Sequence, residues 1–482
     1  MNIIVNGFVN EFLRPIVRDF IKIKNVEKCY FIDTQIDAAD TDVITYLDFR
    51  DVTFGKYPVD WQDIIPLDKS LIESMIPCEA VVLKMMERIE QHAGRLSYDE
   101  RKEIYYRHLR FWNHIIEKNN IQLFLSSNLP HENYDYVIFS LCKLKGINTR
   151  FFHQAKTDYM MIVEDWIPYQ PDLKSNYEKI LKEYSGIDEI ELEKRSENLL
   201  SSQLNKETDP VPYALTVHYS KEKRKRLKRE KRQRMLLKLN SASFYKRIFN
   251  GKNIKIAFYR FIGKRFKNIE SRRLRRLYSR LSVKPDFEKK FIYFPLHRQP
   301  ELTTSALAGC FVDQKLIVDI LSASVPSDFM IYVKENPLQN TFNRSKKFYR
   351  EISGMRNVEF VNLKTDTFGL INNSVAVATA SGTAGWEALF RGKPVMIFGN
   401  IYYEYASGVF KCGSVMDCKN AIDKILRMEN QPDLRSLKLY LKAMESVTSP
   451  GYYSHVYQHG SVLDPEENHT TLVNYLLSKT SK

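Results

Sequence analysis

Five short apolar runs separated by helical stretches constrain this chain more than any other feature. FIYFP (Phe291–Pro295), FMIYVKE (Phe329–Glu335), VEFVN (Val358–Asn362), VAVATA (Val375–Ala380) and PVMIFG (Pro394–Gly399) alternate with VDQKLIVDILSA, NRSKKFYREISG, DTFGLINN and GTAGWEALFRG. Strands that are apolar on both faces and joined by helices predict a parallel sheet covered on each side. The first half repeats the theme. Strand Ile3–Val5, helix Glu11–Lys24 and strand Cys29–Asp33 are followed by a mainly helical stretch from Leu71 to Asn119. Strand Ile121–Ser127, the loop NLPHENYD, a helix closed by Gly146 and the strand NTRFFHQA come next. Residues 41–70 show no clear pattern. The expected class is α/β: one domain over residues 1–175 and another over 286–482, facing a cleft, with a charge-rich helical insertion over 176–285.

That insertion holds the charge. The chain of 482 residues carries a net +15, but residues 221–280 alone contain 24 Lys/Arg against 3 Glu, a local +21 that leaves the remainder at −6. Basic residues such as Lys223, Arg224, Arg226, Arg229, Arg272, Arg273, Arg275 and Arg276 are interleaved with Leu227, Leu236, Phe244, Phe258, Leu274 and Leu277. Three readings fit: a solvated helical face, a peripheral membrane anchor with cations at anionic headgroups, or a nucleic-acid surface. Neither flanking half is basic, and no helix-turn-helix, zinc finger or aromatic RNA-binding motif is present, which disfavours nucleic acid.

Other classes fall away on spacing. The six cysteines lack CxxC pairs, and no HExxH stands in the sequence, so neither a disulfide framework nor a zinc site is expected. GxxxxGK[ST], GxSxG and a GxGxxG followed by an acidic residue are all absent. The N-terminus reads as a first strand and not as a signal peptide, and no run suffices to span a membrane, which implies a cytoplasmic protein.

Ligands of open parallel sheets bind beyond the carboxyl ends of the strands. Three post-strand segments therefore matter: PLHRQPELTTS (Pro295–Ser305), KENPLQN (Lys334–Asn340) and SGTAGWEAL (Ser381–Leu389). Ser381, Gly382 and Thr383 open a helix whose free N–H groups suit a phosphate, and Glu387 lies one turn on, in reach of ribose hydroxyls. The bland alternative has the glycines there for packing and Glu387 as a capping residue.

FIYFPLHRQPELTTS, MIYVKENPLQ and TASGTAGWEALFRGKPVMIFGNIYY resemble blocks of the bacterial capsule polysaccharide biosynthesis protein family, over roughly Phe291–Tyr403. A weaker echo lies in Ser126–Ile147. The resemblance implies a GT-B-like fold of two Rossmann-like domains, the first on the acceptor side and the second binding a nucleotide sugar. It further implies a metal-independent inverting glycosyltransferase of capsule or lipopolysaccharide synthesis without a cofactor, CMP-Kdo being one donor to test. His297 and Lys334 would neutralise the leaving nucleotide, and Asn336 stands where the family pattern leads one to expect a His. The loop after Ile121–Ser127 offers His131 and Glu132 as the general base, or else a helix entry with a capping carboxylate. The implied partners are a nucleotide sugar, a glycan or glycolipid acceptor and an anionic membrane surface at the inner face of the cell membrane, with no nucleic acid. A nucleotide-sugar 2-epimerase and a non-catalytic scaffold of a polysaccharide assembly complex remain open as alternatives.

Overall fold

The computed structural model describes residues 1–33, 43–167, 169–184, 186, 189–205, 229, 269–339 and 344–480. Lys223, Arg224 and Arg226 lie outside the described residues.

In the first half, β1 (Asn2–Asn6), β2 (Lys28–Asp33), β3 (Ile44–Asp48), β4 (Ile121–Ser126), β5 (Asn148–Lys156) and β6 (Tyr159–Val163) form one sheet in the order β3-β2-β1-β4-β5-β6. All neighbours are parallel except β5 and β6. In the second half, β7 (Ser282–Val283), β8 (Lys290–Pro295), β9 (Phe329–Lys334), β10 (Val358–Val361), β11 (Ala376–Thr379), β12 (Val395–Ile397) and β13 (Val409–Lys411) form a wholly parallel sheet, β13-β12-β11-β8-β9-β10-β7. In the first half the chain starts at central β1, winds outward through β2 and β3, then returns to the centre and winds outward through β4, β5 and β6. In the second half β7 is laid down at the edge beside β10, and the same course then runs from central β8 through β9 and β10 and back to β11, β12 and β13. The switch points, β1 beside β4 and β8 beside β11, are where a doubly wound sheet leaves a crevice at its strand tips.

Strand content explains the burial. Ile3, Ile4 and Val5 of β1, and Phe291, Ile292, Tyr293 and Phe294 of β8, are almost wholly removed from water, because helices cover both faces of each sheet. The helix Leu13–Ile23 buries Leu13, Ile16, Val17 and Phe20 on one side of the first sheet, and the helices Ile76–Met85, Tyr98–Lys118 and Asn133–Leu144 pack together in a separate apolar cluster that continues into the second half.

The chain's last part does not stay with its own sheet. Helix Leu434–Val447 packs along Pro171–Glu183, the backbones of Ser449 and Met160 exchange two hydrogen bonds of 2.9 Å, and helix Pro465–Lys479 lies against Leu13–Ile23. Leu472, Val473 and Leu476 thereby complete the core of the first half.

The basic stretch needs one correction. Residues 269–281 form a helix whose Leu274 and Tyr278 are buried, with Leu277 and Leu281 packed beside them on the second half's core. Its apolar stripe is therefore spent inside the protein and is not free to enter a headgroup layer. Arg272, Arg273, Arg275 and Arg276 face solvent on the opposite side, and Arg229 is exposed as well.

Candidate active site at the strand tips

The loops after β8 and β11 are neighbours because their strands are. His297 follows β8 and directs Nε2 to Thr379 Oγ1, at the end of β11, at 2.9 Å. The Gly382 N–H donates to the same Thr379 Oγ1 at 3.1 Å. A Cβ on Gly382 would collide with the His297 ring and stand 2.9 Å from Thr379 Oγ1, so only glycine lets these two loops close on each other. The Tyr403 hydroxyl donates to the Gly382 carbonyl, fixing the start of helix Thr383–Leu389. Burial, with the Arg344 charge nearby, pushes His297 down to about 4. His297 is thus neutral near pH 7 and contributes a hydrogen bond, not the positive charge expected of it.

Five of the other expected residues are placed at these strand tips. The Ser381 hydroxyl donates to the Thr303 carbonyl at 2.6 Å and so clamps the two loops together. Thr383 is exposed at the first position of the helix. Glu387 is half-buried one turn on, close enough to Tyr402, Tyr403 and Arg391 for its charge to act on all three. Lys334 is the clearest departure: buried at the end of β9, its ammonium donates to Thr365 O at 2.7 Å and Thr367 Oγ1 at 2.8 Å. It ties the tip of β9 to the loop after β10 and does not stand free to meet a phosphate. Asn336 makes a local turn, its Oδ1 accepting from the Leu338 N–H at 2.9 Å.

A group that sequence reasoning missed holds these loops. Arg344 and Glu335 are both buried and pair at 3.2 Å; Arg344 also donates to Gln299 Oε1 at 2.9 Å and His297 O at 3.0 Å. Tyr349 donates to Glu335 at 2.7 Å. One guanidinium therefore fixes both the loop after β8 and the loop after β9. Gln299 stood in the quoted motif, but Arg344 had no signal: it reaches the site only through tertiary folding.

The first half presents its own switch point. Gly7, at φ +79°, sits so close to Ser127 that a Cβ would strike the Ser127 hydroxyl. Asn6 donates to Ser126 Oγ at 3.3 Å and Asp135 Oδ2 at 3.4 Å, joining the ends of β1 and β4. His131 follows in the loop, half-buried, its Nδ1–H donating to Leu129 O at 2.7 Å, which leaves Nε2 with the lone pair. Burial and the Arg88 charge push it down to about 4. Glu132 is the N-cap of helix Asn133–Leu144 in a reciprocal capping box with Asp135, and pairs with Arg88 at 3.2 Å. The alternative of a capping carboxylate thus describes Glu132, while His131 keeps an available nitrogen.

The two switch points meet. The charge of Glu301, from the loop after β8, acts on His131, and Gln299 Nε2 donates to Glu87 Oε2 at 3.3 Å across the cleft. Two loops at strand tips, each carrying polar groups, thus come together where the halves meet.

The profile of the family described as "Capsule polysaccharide biosynthesis protein" matches residues 167–424, more than half of the chain. The chain belongs to the capsule polysaccharide biosynthesis family. No curated protein matches it in sequence. Among solved structures it is similar to the beta Kdo 2,7 transferase KpsC of Thermosulfurimonas dismutans, at 13% identity and a TM-score of 0.30, covering 82% of this chain and 96% of that one. It is also similar to the UDP-GlcNAc 2-epimerase of Methanocaldococcus jannaschii, at 10% identity and 0.29, covering 92% and 98%. The UDP-GlcNAc 2-epimerase of Neisseria meningitidis follows at 13% and 0.27, covering 99% and 100%. With TM-scores this low, neither kind of neighbour weighs on which reaction this capsule family member carries out.

Proposed function

We propose that this capsule family member is a metal-independent inverting glycosyltransferase of capsule or lipopolysaccharide assembly. It takes a nucleotide-activated sugar, CMP-Kdo being a donor to test first, and serves a glycan or glycolipid acceptor at the inner face of the cell membrane. The observation that carries the reading is the meeting of two switch-point loops in one crevice: His297, Gly382 and Thr383 on one side, His131 on the other. The donor's phosphate would lie at the start of helix Thr383–Leu389, against backbone N–H groups and the exposed Thr383 hydroxyl. Preorganised donors of this kind stabilise charge that develops on the departing nucleotide. Glu387 would accept from ribose. His131 Nε2, unprotonated above about pH 4, would take the acceptor hydroxyl's proton as that oxygen attacks the anomeric carbon, so that one displacement inverts the centre. Glu132 serves as a positioning residue through its cap and its pairing with Arg88.

Thermal stabilisation across CMP-, UDP-, GDP- and TDP-sugars tests the donor half of the reading, because a ligand that binds only the folded state raises its stability by mass action. Sugar transfer to an acceptor with release of the nucleotide completes it. Interconversion of a UDP-sugar without acceptor would favour an epimerase instead. Absence of stabilisation by any nucleotide sugar would overturn the transferase reading in favour of a scaffold.

A further inference from the structure

The helix over residues 269–281 divides cleanly. At about 100° per residue, Arg272, Arg273, Arg275, Arg276 and Arg280 fall within roughly 160° of its circumference, and Leu274, Leu277, Tyr278 and Leu281 occupy the remainder. All five arginines are exposed, and none is in an ion pair with a described residue. The one acidic residue among the described positions of this helix is Glu270.

The place of the helix gives the arginines direction. The Tyr278 hydroxyl donates to Val361 O at 2.6 Å and accepts the Glu335 N–H at 3.0 Å. Val361 ends β10 and Glu335 follows β9, so Tyr278 stands at the strand tips, the edge of the second sheet that carries the candidate site. The aromatic ring is held by Tyr349 and Phe360, at 5.6 and 5.3 Å between centroids. The arginine-bearing turns just before Tyr278 are consequently part of that edge, on a rigidly docked helix.

We propose that this arginine face is an electrostatic docking surface for an anionic phospholipid bilayer, which binds headgroups without inserting and turns the strand-tip edge toward the membrane. A convex, one-sided row of guanidinium groups fits a plane of phosphates. The face offers no exposed aromatic ring on which a nucleic-acid base would stack. Non-insertion follows from the stripe already spent on the protein core. The choice of a bilayer rests on the reading of a membrane-linked acceptor given above, whereas the binding itself is tested without turnover.

The test is flotation of the full chain with phosphatidylcholine vesicles, with and without about 30% phosphatidylglycerol, at increasing salt. Binding is expected only to the anionic vesicles and should fade as the Debye length falls from about 10 Å at 0.1 M to about 3 Å at 1 M. The full chain with Arg272→Glu, Arg273→Glu, Arg275→Glu and Arg276→Glu should float at least tenfold less. The matching set of Arg→Lys changes should float like the wild type, and transfer to a soluble acceptor should persist in both. Wild-type flotation of the Glu set, no flotation of the native chain, or equal flotation on neutral vesicles would overturn the proposal. So would tighter retention of the native chain on single-stranded RNA than on vesicles. Loss of transfer with flotation intact would count against the transferase reading alone.

Discussion

Replacing Arg344 by Met tests the claim that one buried guanidinium holds the loops of the candidate site. Arg344 and Glu335 have side chains 2% and 6% exposed and lie 3.2 Å apart, so Arg344→Met leaves a carboxylate without its counter-charge inside the protein. Removing one partner of such a pair costs about 3–5 kcal/mol. Glu335 would keep two donors, the Tyr349 hydroxyl and the Asn336 N–H, each at 2.7 Å, which places its share near the lower end. The Gln299 and His297 oxygens would each lose an interaction worth about 1 kcal/mol. The sum is about 5 kcal/mol. In a domain of this size each kcal/mol moves Tm by about 2–4 °C, so a fall of about 10–20 °C is expected in calorimetry.

Two companions separate charge from packing. Arg344→Met with Glu335→Leu should recover much of the loss, because replacing both members of a buried pair by apolar groups is often neutral. In Arg344→Met alone the His297 imidazole, followed by NMR, should titrate above its native value of about 4, since a cation that disfavours its protonation has gone. A Tm within about 2 °C of wild type for the single variant, or a double variant as unstable as the sum of the singles, would refute the reasoning.

Glu387→Ala should weaken nucleotide-sugar binding about tenfold or more in calorimetry, as a charged hydrogen-bond partner is worth about 1.5–3 kcal/mol; unchanged affinity would remove it from the site. His131→Ala should lower turnover by about a hundredfold with donor affinity intact. Glu132→Gln should instead cost about 0.5–2 kcal/mol of stability through its cap, with a smaller loss of turnover, and the reverse ranking would exchange their roles. Buried His108, His153 and His297, held at about 3, 4 and 4, have folded values below the ordinary 6.5. The unfolded chain therefore binds protons first as pH falls, and stability present above about pH 6.5 is lost below it at about 1.4 kcal/mol per unit for each histidine. Tm measured from pH 7 to 5 should drop steeply, and a flat profile would contradict the burial argument.

The pattern of residues reveals what is buried twice over. β8 to β12 were legible because strands covered on both faces are continuous apolar runs. β3, ITYLD at the sheet edge, escaped because it is short and half-exposed, and β6 because its antiparallel return depends on a turn at Asp158, whose φ is +60°. Within the site, helix-opening Ser381 and Gly382 followed from the strand-tip rule. The spacing that flags Lys334 at the end of β9 carries no information about where its ammonium goes, and the loop holding Thr365 and Thr367 captures it. Nor does an amphipathic pattern say which core a helix covers. Pro465–Lys479 reads like any surface helix of the second half, yet Leu472 and Leu476 are buried on the first.

That return of the chain ties the two halves unequally. Beside the connector from one to the other, Tyr177 packs on Tyr440 at 4.9 Å, Glu404 accepts from the Tyr169 N–H at 3.2 Å, and the Tyr405 hydroxyl donates to Tyr169 O at 2.7 Å. These contacts lie within a continuous apolar cluster that draws on both halves. Separating them would expose large aromatic surfaces at about 25 cal/mol per Å². At the mouth of the crevice Gln299 donates to Glu87, a hydrogen bond worth about 0.5–1.5 kcal/mol, and helix Leu302–Ser305 touches helix Ile76–Met85 beside it. Gln299 is also held by Arg344, so this residue at the mouth is fixed by the same guanidinium that holds the His297 loop. Gln299 at the mouth and the loop carrying His297 thus share one buried anchor.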